Sequence, residues 1–152
     1  KLPIQPSFRH ISNILQTHSM DIEATIVFFK KEIKNKKDEE KVRLRTNCVK
    51  NWLENYAPEE FKFNVQDKAP KGLKLSKEMK LALKSFAKEL AAKDWKDKEL
   101  HEFFYQHMRD NGLEPKDAFK ACYNILINKD KGPQLASFIL IIGKEKVAKL
   151  LS

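Results

Sequence analysis

The chain has 152 residues, of which 41% are hydrophobic and 34% are charged, enough for one compact domain or a domain with part of another. This composition excludes a disordered tail, and no apolar run approaches the roughly 20 residues that span a bilayer. The formal net charge of +9 favours nucleic acid or another anionic partner. Because the chain starts at Lys1 with a polar opening unlike a signal peptide, we expect a piece of a longer, cytoplasmic protein.

Cysteine and histidine usage argues against a metal site. Cys48 and Cys122 are far apart and belong to no CxxC motif, so we predict two buried, reduced thiols. The chain has four histidines, none of them four residues from another: His10, His18, His101 and His107. The two-histidine helical zinc motif is therefore absent, and we predict no metal ligands.

Helical spacing of apolar residues runs through the first third of the chain. It predicts one helix around Phe8–Leu15, a second over Ile22–Phe29 and a third over about Asp38–Tyr56, which Pro58 ends. From Phe61 to Gly72, apolar and polar residues alternate and then proline and glycine follow, which predicts an extended connector. We therefore predict two subdomains, residues 1–57 and 76–152, joined by a connector over 58–75.

The second subdomain reads as helical to its end. Ser76 is a good N-cap for a fourth helix, and a fifth is predicted over Asp97–Asn111. Pro115 and Pro133 each stand where a first helical residue is favoured, so we predict that they open the sixth and seventh helices. A short last helix follows Gly143. The predicted fold class is all-α, a bundle or cage of about eight short helices in two subdomains.

Basic residues concentrate in three clusters along the sequence. They are Lys30, Lys31, Lys34, Lys36, Lys37, Lys41, Arg43 and Arg45 near the second and third helices, Lys77, Lys80, Lys84 and Lys88 on the fourth, and Lys129, Lys131, Lys144 and Lys146 around the seventh. Each cluster has an ordinary alternative, a solvated surface. We expect at least one of them to contact phosphate.

The turn 128–134 combines several features of a ligand site. Gly132 permits close approach of a backbone, and the free N–H groups of a helix opened by Pro133 suit an anion. The lysines in the turn would hold a phosphate, and Gln134 could bond to a base edge. The alternative is an ordinary connection between two helices. No nucleophile–base set and no phosphate-binding loop is present, so we predict no catalytic residues.

Several stretches resemble a known family. KGPQL at 131–135, IGKEKV at 142–147 and the closing Leu150–Leu151 resemble the end of the anticodon-binding region of class I glutamyl- and lysyl-tRNA synthetases. SFRH at 7–10 and YAPEEFKF at 56–63 are similar to the lysyl enzymes in particular. One departure is Gln134, where the family pattern has arginine, which puts a charged role at that position in doubt.

The resemblance implies that this is the C-terminal part of a class I lysine–tRNA ligase. Residues 1–57 would be helices that contact the tRNA stem, and residues 76–152 would be an anticodon-binding helical cage. The parent enzyme attaches lysine to its tRNA using ATP, so ATP would belong to an upstream catalytic domain and this fragment would need no cofactor. The implied partners are lysine tRNA and that catalytic domain, with no membrane.

The same resemblance implies a U-rich anticodon, whose bases need flat surfaces and polar groups that reach their edges. The candidate tRNA-binding residues are Phe138, Tyr105 and His101 for stacking, Gln134 for a base contact, and Lys129, Lys131 and Lys144 for the backbone. An alternative places Phe138 in the core with Tyr105 half-buried beside it. Two alternative functions also stay open, a glutamyl-type anticodon-binding domain and a basic helical adaptor that binds an acidic protein.

Overall fold

The computed structural model describes Leu2 and residues 4–152, and all the regular structure in that range is helical. The α-helices are α1 Phe8–Thr17, α2 Ile22–Phe28, α3 Lys36–Asn55, α4 Lys77–Ala92, α5 Asp97–Asp110, α6 Pro115–Ile127, α7 Leu135–Ile142 and α8 Lys144–Leu151, with a 3-10 helix at Glu59–Phe61. The predicted all-α class with about eight helices is confirmed. Within the described range, no helix has both the length and the apolar character that crossing a membrane requires.

The helices group into two compact units, Lys1–Asn64 and Val65–Ser152. The predicted connector, residues 58–75, is shared between them: 58–64 falls in the first unit and 65–75 in the second. Lys1 and Pro3, with which the predicted first subdomain begins, lie outside the described residues.

In the first unit, α1 and α2 both pack against α3. Ile11, Ile14 and Leu15 of α1 are fully buried, as is Val42 of α3. The buried Gln16 ties the segment after the 3-10 helix to this core. Its Oε1 accepts from the Phe63 backbone N–H at 2.8 Å, and its Nε2 donates to the Phe61 carbonyl at 3.2 Å. A buried polar side chain thus joins this irregular segment to the core, and both of its amide atoms find partners there.

Asp38 organises the start of α3. Its carboxylate accepts from the backbone N–H groups of Ile4 at 3.1 Å and Lys34 at 3.0 Å, and from Asn35 Nδ2 at 3.0 Å. The side chain is 6% exposed. Hydrogen bonds to the ionised form favour it, so the Lys34 N–H first, and then the Ile4 N–H, lower the pKa of Asp38 below its usual value.

The second unit has α4 packed chiefly against α8, with α5 on another side of α4. Phe86 of α4 is fully buried, with the Phe103 ring 5.9 Å and the Phe104 ring 5.1 Å from its own, measured between centroids. Before α4, the Gln66 N–H donates to the Leu126 carbonyl at 2.7 Å, which attaches the incoming segment to α6. Aromatic packing around α4 is therefore a major part of this core.

Most predicted helix boundaries agree with the structure. Ser76 caps α4, because its Oγ accepts from the Met79 N–H at 3.1 Å, and Gly143 joins α7 to α8 with a φ of +99°. The predicted start of α7 at Pro133 is wrong: the helix begins at Leu135, with Gln134 as its N-cap residue. The physical reason is that the Pro133 carbonyl accepts from the Tyr123 hydroxyl at 2.5 Å, which holds Pro133 outside the helix.

The two cysteines differ in burial. Cys122 on α6 is fully buried, as predicted, and burial raises the pKa of its thiol to about 12. Cys48 on α3 is exposed, so the prediction that it is buried is wrong. Successive residues of an α-helix point about 100° apart, and Val49, not its neighbour Cys48, faces the core.

Candidate nucleic-acid interface

The turn 128–134 is shaped by Tyr123. Asn128 ends α6 in the left-handed conformation with a φ of 53°, and the chain then passes close to the Tyr123 ring. A Cβ added at Gly132 would lie 2.7 Å from Tyr123 Cδ1 and 2.9 Å from Ile127 Cδ1. Glycine is therefore needed here so that the backbone can pack on Tyr123, and the close approach we predicted for a ligand is taken by the protein's own ring.

Charge in this turn is mixed. Asp130 accepts from Asn124 Nδ2 at 2.9 Å and pairs with Lys120 at 3.1 Å. The Asn124 hydrogen bond, followed by the Lys120 bond, lowers the pKa of Asp130 from its usual value. Lys131 is exposed and Lys129 is half-buried. The predicted phosphate position therefore has one exposed lysine next to a carboxylate that offsets part of its charge.

Gln134 is joined to α5 by Asp97. Gln134 Nε2 donates to Asp97 Oδ1 at 3.3 Å, and the Ser137 hydroxyl lies within hydrogen-bonding distance of both Asp97 Oδ2 and Gln134 Oε1. These contacts fix the direction of the Gln134 amide while leaving the side chain exposed. Asp97 and Ser137 were not among our candidates. An acidic residue at the start of a helix is common for electrostatic reasons, so Asp97 had no distinguishing signal.

His101 and Tyr105 continue the same side of α5. Asp97, His101, Tyr105 and Arg109 recur every four residues, which places them on one side of the helix; together with Gln134 we call them the α5 line. The His101 and Tyr105 rings are 4.8 Å apart, and Phe119 of α6 packs edge-on against Tyr105 at 5.2 Å. Both members of the pair are half-buried. Three candidates, Gln134, His101 and Tyr105, are thus brought onto one surface.

Two other candidates lie in different surroundings. Phe138 is 0% exposed, which agrees with the alternative that placed it in the core and does not fit a role in stacking on a base. Lys144 donates to Asp94 Oδ1 at 2.6 Å and to the Lys93 carbonyl at 3.0 Å, so it braces the α4–α5 loop instead of facing an RNA backbone freely. The Lys144 hydrogen bond in turn lowers the pKa of Asp94 from its usual value.

The structure also shows how the other basic clusters are used. In the first unit, Arg43 pairs with Glu23 and Glu39, and Arg45 donates to the Pro6 carbonyl at 3.1 Å. The lysines of α4 are exposed. In the described part of the chain, no group of three or more His, Cys, Asp or Glu side chains is arranged to hold a metal ion.

Comparison with known proteins identifies the family to which the sequence belongs. Residues 49–151 match the family model described as an anticodon binding domain. Among curated relatives, the lysine–tRNA ligases of Borreliella burgdorferi and Treponema pallidum are 34% and 36% identical to this chain over 100% and 97% of its length. The lysine–tRNA ligase of Thermococcus kodakarensis is 31% identical over 99%.

The chain corresponds to only part of these relatives. It spans 29%, 28% and 30% of their lengths, respectively. Because all three are lysine–tRNA ligases, the glutamyl-type alternative and the adaptor alternative are not favoured. The family match includes α4 to α8 and with them the whole α5 line. The chain belongs to the anticodon binding domain family and is homologous to part of the lysine–tRNA ligases.

Proposed function

We propose that this chain is the anticodon-recognising part of a class I lysine–tRNA ligase and binds lysine tRNA through its second unit. The observation that carries the proposal is the α5 line, a row of half-buried rings that ends at an oriented, exposed amide inside the family-matched region. The whole enzyme attaches lysine to tRNA in the cytoplasm, with ATP held by a catalytic domain elsewhere in the same protein. This chain contributes tRNA affinity and selectivity.

The α5 line has the two kinds of group that an unstacked base needs. The His101 and Tyr105 rings give apolar faces and edges for stacking, and Gln134 gives an amide that both donates and accepts. Asp97 limits the rotation of that amide, so little side-chain entropy is lost when a base binds. Lys131, exposed at the neighbouring turn, contacts the backbone without regard to sequence.

The test is a titration of the chain against lysine tRNA and a copy whose anticodon uridines are replaced. Gln134→Ala should narrow the preference for lysine tRNA by roughly 1–2 kcal/mol, as expected for one base hydrogen bond. Gln106→Ala is the matched control, since Gln106 is an exposed glutamine of α5 that bonds to Asp110. Lys131→Ala should weaken both RNAs alike. If the wild-type chain bound both RNAs with the same affinity, that result would contradict anticodon recognition itself.

Salt dependence tests whether binding is electrostatic, as the proposal requires. Three to five phosphate contacts correspond to a slope of about −3 to −4 when log affinity is plotted against log salt. The measurement is fluorescence anisotropy of labelled lysine tRNA between low and moderate salt. A flat response would favour a protein partner over RNA.

A further inference from the structure

The outer face of α4 carries four exposed lysines in one straight row. Lys77, Lys80, Lys84 and Lys88, here called the α4 stripe, are separated by three, four and four residues and therefore lie on one side of the helix. At 1.5 Å per residue the row is about 16 Å long. Opposite it, Phe86 and Leu90 are fully buried, so the stripe faces solvent.

None of these lysines has an acidic partner among the described residues, whereas five other lysines of the same unit do. Lysines of this unit that do pair with a carboxylate are Lys93, Lys98, Lys120, Lys144 and Lys146. The carboxylates of α4 itself, Glu78 and Glu89, each follow a stripe lysine and so point about 100° further round the helix.

An unpaired row of this kind costs helix stability. Lysines three or four residues apart repel each other, and the stripe contains three such neighbouring pairs. Folding of the unit gains nothing visible in return, because the lysines contact no acidic group in the described part of the chain. A regularly spaced external polyanion would relieve this repulsion. The stripe is also free of aromatic rings and planar donors, so it has no means of reading bases.

We propose that the α4 stripe binds the sugar–phosphate backbone of RNA, as a second contact separate from the α5 line. This inference rests on the proposed function, since the RNA is the same tRNA. Lysine suits the task because it is a compact charge on a flexible stem, which follows a backbone without demanding one geometry. Leu81, 59% exposed between the lysines, adds an apolar contact of the kind a ribose accepts.

The α5 line lies on a different side of α5 from the one that packs against α4, the helix that carries the stripe. The side of α5 that meets α4 carries Phe103, which stacks on Phe86, and His107, whose Nε2 is 2.8 Å from Ser85 Oγ. His101 and Tyr105 lie on other sides of the helix, where Tyr105 meets Phe119 of α6. A helix with its side chains is about 10 Å wide, so one nucleotide does not reach both surfaces. The stripe and the α5 line therefore bind different segments of the RNA, and their contributions add.

The first experiment compares two charge-matched double variants of the full 152-residue chain. Lys80→Ala with Lys84→Ala removes two stripe lysines, whereas Lys98→Ala with Lys146→Ala removes two lysines that already pair with Glu102 and Asp67. Labelled lysine tRNA is titrated with each protein at several salt concentrations. We expect the stripe variant to bind several-fold more weakly and its log–log salt slope to shrink by about 1.4 to 1.8, two phosphate contacts' worth. The control variant should keep most of the wild-type affinity and most of the wild-type salt slope.

The second experiment separates binding from folding. Lys84→Glu places a carboxylate four residues from both Lys80 and Lys88, so it relieves repulsion and forms two helical ion pairs. Its thermal midpoint should be equal to or above that of the wild type, while its affinity for tRNA should fall more than tenfold. Opposite signs for the two effects exclude misfolding as the cause.

Each outcome bears on a different claim. If the stripe variants bind lysine tRNA as the wild type does, with the same salt slope, the stripe does not contact RNA, although the proposed function stands. An equal loss in the control variant would also overturn the inference, because net charge alone would explain it. If the wild-type chain binds no tRNA, the proposed function itself fails. A stripe effect that differs between the two anticodon versions of the RNA would contradict a contact with the backbone alone.

Discussion

Helices α3 and α4 are both rich in lysine and arginine, yet they use these side chains in different ways. On α3, Arg43 bonds to Glu23 and Glu39, while Lys36 and Lys50 each pair with a glutamate one turn later. On α4, the stripe lysines have no such partners among the described residues. The net charge of +9 is therefore made of two kinds of positive charge. One kind is paired with carboxylates of the same unit, and the other is available to an external anion.

If α4 is held by its buried face alone, a substitution there should have the largest effect on stability. Phe86→Ala removes a fully buried ring packed between Phe103 and Phe104, and should lower the free energy of unfolding by about 3–5 kcal/mol. Lys84→Ala, on the opposite face, should leave it almost unchanged. Urea unfolding followed by Trp95 fluorescence in a Trp52→Phe background measures both. If both variants lowered the free energy of unfolding by similar amounts, the exposed face of α4 would also be needed for stability, contrary to this prediction.

The first unit should respond to acid through Asp38. The Lys34 and Ile4 N–H groups hold the pKa of its carboxyl below the usual value, so the unfolded chain binds this proton more readily than the folded one. The stabilisation is therefore complete above about pH 4 and is lost as the pH falls towards the folded-state pKa. Asp38→Asn should be less stable than the wild type at neutral pH, and the difference should close below about pH 4. Unfolding followed by Trp52 fluorescence in a Trp95→Phe background measures this stability difference. If the difference did not change with pH, titration of Asp38 would not be its cause.

Loss of the Arg43 ion pairs should have a smaller effect that salt removes. Arg43→Ala should lower the thermal midpoint of the first unit, because Glu23 and Glu39 lose a shared partner. The pairs are on the surface, so raising the salt concentration should shrink the difference between variant and wild type. Lys84→Ala is the control for α4 and should not lower the midpoint at any salt concentration. If Arg43→Ala lowers the thermal midpoint equally at all salt concentrations, the aliphatic part of the Arg43 side chain stabilises the unit by packing.

The smallest effect concerns the cysteines, one in each unit. Cys48 is exposed on α3, whereas Cys122 is buried and its thiol has a pKa of about 12. A thiol reagent at neutral pH should therefore label one cysteine in the native chain and two after unfolding. Mass spectrometry of the labelled chain counts them, and Cys48→Ser should abolish native labelling. Rapid labelling of Cys122 in the native chain would show that the second unit opens readily.

The helices themselves could be predicted closely, because their signals are local. The Ser76 cap and the first-position Pro115 predict the starts of α4 and α6 to within a residue. The start of α7 was missed, since the Tyr123 hydroxyl that holds Pro133 comes from a different helix. Cys48 was misjudged because its position on α3 is only one residue from a core position, and the apolar pattern does not resolve such a shift.

The candidate site could be predicted only in part. The sequence proposed Gln134, His101 and Tyr105 as binding residues without showing that they lie together. The structure adds Asp97, which joins Gln134 to α5, the helix that carries His101 and Tyr105. Composition and period determined that the chain is helical and basic, and local motifs pointed to its family. Tertiary structure decided which charges are free. Lys144 and Lys146 are bonded to carboxylates 50 and 79 residues away in sequence. Helical period is a property of neighbouring residues, whereas pairing depends on which distant helices meet.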